Sequence, residues 1–304
     1  MAVAVEGAQE SEVGAGRATL LVVLSACGFA SIPIFVSLAV SSGSPLVDVL
    51  VGRYGIAALL LAAIAWSSGT RRIDRGGLRV FAIVGVMQAA VAYTSLLALA
   101  YIPAGTLSFL FYTYPAWIAI IARVRHSEPL TVWRLLALAL SLGGVLVMVG
   151  APSAAKLHPT GVALALASAV LYAVYVPVVA RVQRGLAPAV TAGYMAGGAA
   201  AVFYLGKIAS GAPAMRLTPV GVWASLGLAV ISTTIAFLLF LRGLRTLGPV
   251  RTGIVSTVEP FATALLAAAI LAQPLSSSTI LGGALIATAV ILLQLRADRP
   301  TLAT

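Results

Sequence analysis

The chain has 304 residues, 61% of them hydrophobic and only 9% charged, with a formal net charge of +11. A soluble domain carries roughly 25% charged residues, so this chain cannot cover itself with a solvated surface, and its mean hydropathy of +1.07 places it in a bilayer. The positive balance would suggest nucleic acid in a soluble protein, but here it sits in short loops between apolar runs, where the positive-inside rule accounts for it.

Residues 1–16 hold Glu6, Glu10 and Glu12 and no basic residue, the wrong charge for a signal peptide, and read as a disordered cytoplasmic tail. Apolar runs of about 20 residues follow, the length that crosses about 30 Å of hydrocarbon. They predict helices at 18–40, 46–66, 77–99, 103–122, 132–150, 159–181, 188–207, 219–241, 249–271 and 277–296. Ser41-Ser42-Gly43-Ser44-Pro45, Arg75-Gly76-Gly77, Ala151-Pro152-Ser153 and Gly211-Ala212-Pro213 punctuate them. The fold expected is an all-α integral membrane protein of ten transmembrane helices, with no room for a soluble domain. The single Cys27 falls in the first run, excludes an intramolecular disulfide, and reads as a small buried apolar residue.

Charge orients the spans. Loops after the second, fourth, sixth and eighth helices hold Arg71, Arg72, Arg75, Arg79, Arg123, Arg125, Arg134, Arg181, Arg184, Arg242, Arg245 and Arg251, and the termini add Arg17, Arg296 and Arg299. The opposite loops hold Lys156, Lys207 and Arg216, so fifteen cations face three. Both termini are therefore expected in the cytoplasm, with the chain in the cell (inner) membrane. The excess of Arg over Lys and the absence of Asn point to a GC-rich bacterial genome.

An internal repeat divides the chain. Glu128-Pro129-Leu130-Thr131 recurs as Gln273-Pro274-Leu275-Ser276, an offset of 145, and Tyr114-Pro115 meets Glu259-Pro260 at the same offset. Pro33 meets Pro177 at an offset of 144. Each half holds five helices, an odd number, so the second half enters the membrane from the opposite face: an inverted repeat, as in many secondary transporters. The expected division is a tail at 1–16, repeats at 17–151 and 152–296, and a cytoplasmic tail at 297–304.

Arg53-Tyr54 early in the second helix, the "EPLT…LLALALSLGGVLVM" segment and the "VEPFATALLAAAILAQPL…ILGGALI" segment resemble the EamA family of the drug/metabolite transporter superfamily, over essentially the whole chain after the tail. The resemblance implies a ten-helix fold and export of metabolites, amino acids or drugs. It also implies an acidic residue near the start of each half's last helix; Glu128 fits that pattern and Gln273 departs from it.

Candidate site residues come from polar and aromatic positions within spans. The ninth helix carries Thr252, Ser256, Glu259 and Thr263 at spacings of 4, 3 and 4, one helical stripe. Its counterpart on the fourth helix is Leu107, Phe111, Tyr114 and Ile118. The sixth helix shows Ser168, Tyr172 and Tyr175, and the first Leu24, Gly28 and Ser31. Facing one another, these stripes make a pocket polar on one wall and aromatic on the other, suited to an amphipathic solute such as an amino acid with a large side chain or a drug-like amine. The bland alternative is packing, since small and hydroxylated residues glue membrane helices. Pro33, Pro115, Pro177 and Pro260 fall at matched places in the halves, where such cavities lie.

Glu259 lies near the bilayer centre, where an ionised group costs at least about 3 kcal/mol, so it reads as functional. Arg53 is divided between snorkelling outward and contacting solute, with Asp48 about 140° around the helix and poorly placed to pair with it. Gln88 is a further long polar side chain mid-span. The glycines of the fifth, seventh and tenth helices, including Gly193-x-x-x-Gly197, read as packing, compatible with a monomer or a homodimer.

Only two histidines, His126 and His158, stand in or beside loops, there is no phosphate-binding G-x-x-x-x-G-K-[ST], and no nucleophile–base cluster is visible. No metal, cofactor or enzymatic activity is expected. The reading is a secondary carrier, an exporter working by alternating access, with a small-molecule solute, the lipid bilayer and protons as partners. A passive channel on the same fold, or a non-transporting membrane enzyme or assembly subunit, stand as alternatives.

Overall fold

The computed structural model describes residues 2–69, 75–98, 100–102, 104–125, 130–150, 158–212, 214–271 and 274–295. Glu128, Gln273, Lys156, His126 and the 297–304 tail lie outside them. All regular structure among the described residues is helical. The first span is α1 (Ala2–Ala30) followed by α2 (Ile32–Ser41), and the second is α3 (Leu46–Ser67). α4 (Arg75–Ala98) is the third; α5 (Ala104–Phe111) and α6 (Tyr114–Val124) together form the fourth; α7 (Val132–Val149) is the fifth. In the second half, α8 (Pro159–Val182) and α9 (Pro188–Ala209) are the sixth and seventh spans. The eighth runs through α10 (Pro219–Ala229), a π-helical turn at Val230–Ile235 and the start of α11 (Ala236–Ser256). At Gly248 the backbone turns to φ 74°, a value that costs glycine little, and Pro249 opens the ninth span. That span continues from α11 into α12 (Val258–Leu271), and α13 (Ser277–Leu295) is the tenth. α1 takes up its helix at Ala2, inside the segment read as a tail; Ala, Glu and Gln there favour helix, and no Pro interrupts them.

The packing repeats across the halves. The first span packs on the eighth as the sixth does on the third; the first meets the ninth as the sixth meets the fourth. The second pairs with the seventh and the fifth with the tenth, each span meeting its own counterpart. Pairing of this kind needs a two-fold pseudo-axis between the halves. With five spans per half, that axis lies in the membrane plane.

Lipid is as apolar as leucine, so helices associate here through close contact rather than through hydrophobic exclusion. The glycines supply it. A Cβ on Gly85 of α4 would fall onto the backbone of Gly198 in α9, and one on Gly144 of α7 would come 2.7 Å from the Gly282 carbonyl oxygen of α13. Gly197 lies against Phe81, and Gly193 faces Leu61 more loosely at 3.8 Å, so the Gly193-x-x-x-Gly197 pair packs within the chain. Cys27 departs from its expected burial: it is exposed, on the same outer face as Leu20 and Leu24, because helical spacing from those bilayer-facing leucines carries it there.

Among the described residues, one ion pair crosses the halves. Asp48 of α3 and Lys207 of α9 are both buried and paired; Lys207 also donates to the Ala214 carbonyl at 2.9 Å, and the Arg216 backbone N–H donates to Asp48 at 2.7 Å. Nearby, Thr218 joins Ser42 at 2.6 Å and Ser44 at 3.0 Å. These bonds tie the loop after the first span to the loop after the seventh.

The glycine contacts set a stability test. Gly85→Ala and Gly144→Ala are expected to destabilise the protein by about 1–3 kcal/mol each through overpacking, lowering the melting temperature in detergent by several degrees. Gly143→Ala, whose Cβ would meet nothing within 4 Å, should leave it unchanged. Equal melting temperatures for all three would show that the α4–α9 and α7–α13 crossings are looser than described.

Candidate functional site

Irregular backbone inside hydrocarbon survives only where it is buried in protein or borders a cavity, so the breaks in the spans mark where to look. The fourth span breaks at Tyr112-Thr113, just before Pro115 at the start of α6. The ninth breaks at Thr257, just before Glu259 and Pro260. Tyr112 and Thr257 stand 145 residues apart, so the two halves break at the same repeat position. The first span breaks at Ser31, whereas the sixth runs unbroken through Pro177.

Around the first two breaks the aromatic rings gather. Tyr114 meets Tyr172 edge to face, with centroids 4.7 Å apart and planes at 86°. Phe111 lies 5.4 Å from Tyr114 and 5.5 Å from Tyr172, and Tyr175 lies 6.1 Å from Tyr172. Contacts of this geometry add about 1 kcal/mol each beyond burial, which holds the cluster as one wall. Tyr112 joins it, 5.6 Å from Phe111. Sequence spacing misses Tyr112 because a residue next to Phe111 falls about 100° off its stripe in a regular helix, whereas here it lies in the break.

Glu259 stands against this wall. It lies near the Tyr112 hydroxyl and within electrostatic reach of Arg53. Glu259, Phe111 and Tyr172 are half-buried, while Tyr112, Tyr114 and Tyr175 are buried. Ser256 lies beside Tyr114. The hydroxyls of Thr252, Ser256 and Tyr175 are buried and have no hydrogen-bond partner among the described residues. Thr263 turns elsewhere: its hydroxyl donates to the Glu259 carbonyl at 3.0 Å and to Ala30 of the first span at 3.3 Å.

Arg53 does not snorkel. Only 5% exposed, it turns toward the eighth span, where its Nε donates to Thr233 Oγ1 at 2.8 Å and Nη2 reaches the Ser232 carbonyl at 3.5 Å. Both acceptors lie in the π-helical turn, and Thr233 Oγ1 in turn donates to the Leu228 carbonyl at 2.9 Å. The guanidinium also lies over the Tyr54 ring, 4.8 Å from its centroid. Asp48 pairs with Lys207 instead, and among the described residues no carboxylate lies within ion-pair distance of Arg53. Gln88 donates to the Tyr54 hydroxyl at 3.0 Å. Arg53, Tyr54 and Gln88 thus form one bonded group, with Tyr54 in the same packed core as Tyr112, Tyr114 and Tyr175.

The first span contributes differently from its expected role. Gly28 abuts Ile231 and Ala236, Ser31 bonds Ser232 at 2.7 Å, and Leu24 is exposed, so this stripe faces the eighth span and the lipid rather than the cluster. Ser232 and Thr233 were legible only as a polar run, Ser232-Thr233-Thr234, in an apolar span; the π turn hides their direction from a 3.6-residue reading.

Burial orders the site for labelling. Single cysteines replacing Phe111, Tyr172, Tyr114, Tyr175 and Ser256 in a Cys27→Ala background are expected to react with a small polar thiol reagent fastest at the half-buried positions 111 and 172. Uniform inertness at all five would mean the rings are packing alone.

The EamA-like transporter family model matches residues 16–150 and 159–295, one copy per half. Among solved structures, 29 chains are similar. One, described only as "Crystal structure of protein", is 21% identical, superposes with a TM-score of 0.78, and covers 93% of this chain and 99% of its own; that likeness speaks for the fold alone. No curated protein matches. With both five-helix halves matched in this multi-pass membrane protein, the chain belongs to the EamA-like transporter family, of the drug/metabolite transporter type.

Proposed function

We propose that the protein is a secondary carrier that exports small amphipathic solutes by alternating access, and that the solute lies between Arg53, Glu259 and the Phe111–Tyr172 wall. One observation carries the reading: two ionisable groups of opposite type, Arg53 over the Tyr54 ring and half-buried Glu259 beside the aromatic wall, lie inside the bundle without forming an ion pair with each other. Charges are costly at that depth and persist where a pathway uses them. An amino acid with a large side chain fits such a site, its carboxylate toward Arg53, its amine toward Glu259 and its apolar body on the rings. The unpartnered hydroxyls of Ser256, Thr252 and Tyr175 offer further polar contacts, and Gln88 holds Tyr54 in place. A drug-like amine would use Glu259 and the rings alone. A channel requires a continuous polar path or charged ring, and the polar side chains here converge on one locus. Glu259 is also the natural proton carrier for coupling, since a carboxyl can exchange its charge as solute arrives and leaves.

Glu259→Gln keeps shape and fixes the group neutral. The variant is expected to fold with a wild-type melting temperature but to lose transport at least about tenfold, or to lose its pH dependence, as removal of a mid-membrane charged contact implies. The assay is uptake into proteoliposomes of solutes first found by thermal-shift screening. Wild-type rate with an unchanged pH profile would remove Glu259 from the mechanism.

Orientation is part of the proposal: both termini in the cytoplasm of a bacterial cell, with Lys156, Lys207 and Arg216 on the outer side. Reporter fusions after residues 70 and 304 should read as cytoplasmic and one after 155 as external. An external C-terminus would refute the inverted arrangement in the membrane.

A further inference from the structure

Two of the three cations on the arginine-poor side, Lys207 and Arg216, converge on one groove. Cations are disfavoured on that side by the charge bias of the whole chain, so their convergence calls for a local cause. The groove, about 660 Å³, lies between the second, third and seventh spans, with Val86, Ala90, Tyr93 and Phe203 among its walls. It opens sideways. Leu78, Ile83, Val86 and Tyr93 are 63%, 53%, 53% and 53% exposed along one helical face of α4, the stripe that meets hydrocarbon, and Val86 and Tyr93 belong to both the stripe and the groove.

At the polar end of the groove the charges do not cancel. Lys207 is paired with Asp48 and also donates to the Ala214 carbonyl, which uses two of its three N–H donors. Asp48 receives Lys207 on one oxygen and the Arg216 backbone N–H on the other. The exposed Arg216 guanidinium has no carboxylate partner among the described residues. Asp48, Lys207 and Arg216 sum to +1, at the level where an apolar groove meets the membrane surface. We propose that this groove is a binding site for a bilayer phospholipid with a net negative headgroup: phosphate on Arg216 and the free Lys207 N–H, one acyl chain along Val86, Ala90 and Tyr93. Basic pockets between membrane helices recognise anionic headgroups by this pairing.

The site reaches the transport machinery through its floor. Phe203 stacks on Tyr54, centroids 6.0 Å apart with planes at 16°, and Tyr54 carries Arg53 over its face and Gln88 on its hydroxyl. A chain seated on Phe203 therefore presses one ring away from the two polar groups of the central cluster.

The test is native mass spectrometry of the full-length purified protein offered equal amounts of phosphatidylglycerol and phosphatidylcholine. Both carry phosphate, and only the first is anionic. The wild type is expected to retain phosphatidylglycerol preferentially. Arg216→Gln should retain about fivefold less of it, the loss expected for one interfacial cation, while Arg184→Gln, exposed at the opposite end, should match the wild type. Gly206→Leu keeps every charge and fills the groove, where a Cβ meets nothing within 4 Å, so it too should lose the lipid while eluting normally on gel filtration. Equal retention of the two lipids by the wild type, a preference that survives Arg216→Gln, or retention untouched by Gly206→Leu each overturns the proposal.

Discussion

The structure depends on one constraint: in hydrocarbon there is no water to satisfy a backbone group the helix leaves free. Each departure from regular helix must find its partner in the protein, and here the departures find one another. The π turn at Val230–Ile235 offers the Ser232 carbonyl and the Thr233 hydroxyl, and Arg53 takes both. The break at Ser31 leans on the same turn through the Ser31–Ser232 bond. The breaks at Tyr112-Thr113 and Thr257 set the Tyr112 hydroxyl against the Glu259 carboxyl. The irregular backbone and the buried charges are thus two sides of one arrangement. Neither would be tolerated in these spans without the other.

The two halves share a scaffold and differ in chemistry. Their packing obeys the pseudo-axis span by span, and both halves break at the same repeat position. Yet at that position one half presents Phe111, Tyr112 and Tyr114 where the other presents Ser256, Thr257 and Glu259. The symmetric part is what an inverted repeat needs to hold two similar conformations, because each half then repacks as its counterpart does. The asymmetric part gives the interior one aromatic and one polar side. On the proposed reading, that difference is what would orient a solute with an apolar body and a charged end.

How much of this was legible in the residues follows from which physical signal each feature leaves. Hydropathy over about 20 residues places spans directly, so the ten segments and their two-fold repeat can be read from the sequence, while the seam between the eighth and ninth at Gly248-Pro249 is seen in the structure. Helical spacing singles out Phe111, Tyr114, Tyr172, Tyr175 and Glu259 as candidates, and the four rings meet although breaks at Tyr112-Thr113 and Thr257 interrupt two of the stripes. Where the chain leaves the α-helix, phase is lost: Tyr112 lies in a break, and Thr233 lies in a π turn with its own pitch. Partners remote in sequence leave no periodic signal. Asp48 and Lys207 lie 159 residues apart, and Arg53 and Thr233 lie 180 apart. Arg53 was therefore readable as costly but not as bonded to the eighth span, and Cys27 as apolar but not as lipid-facing.

The central claim is that the charged and aromatic cluster belongs to a carrier, which moves solute only as its two halves exchange access. Counterflow measures this directly. Proteoliposomes are loaded with a solute that raises the melting temperature of the purified protein, then diluted into a trace of the same solute carrying a radiolabel. A carrier is predicted to accumulate label transiently above its equilibrium level, because each outward passage of unlabelled solute returns the site to take up label. A monotonic rise of label to equilibrium, with no overshoot at any internal solute concentration, would contradict the account and assign the fold to a passive pore.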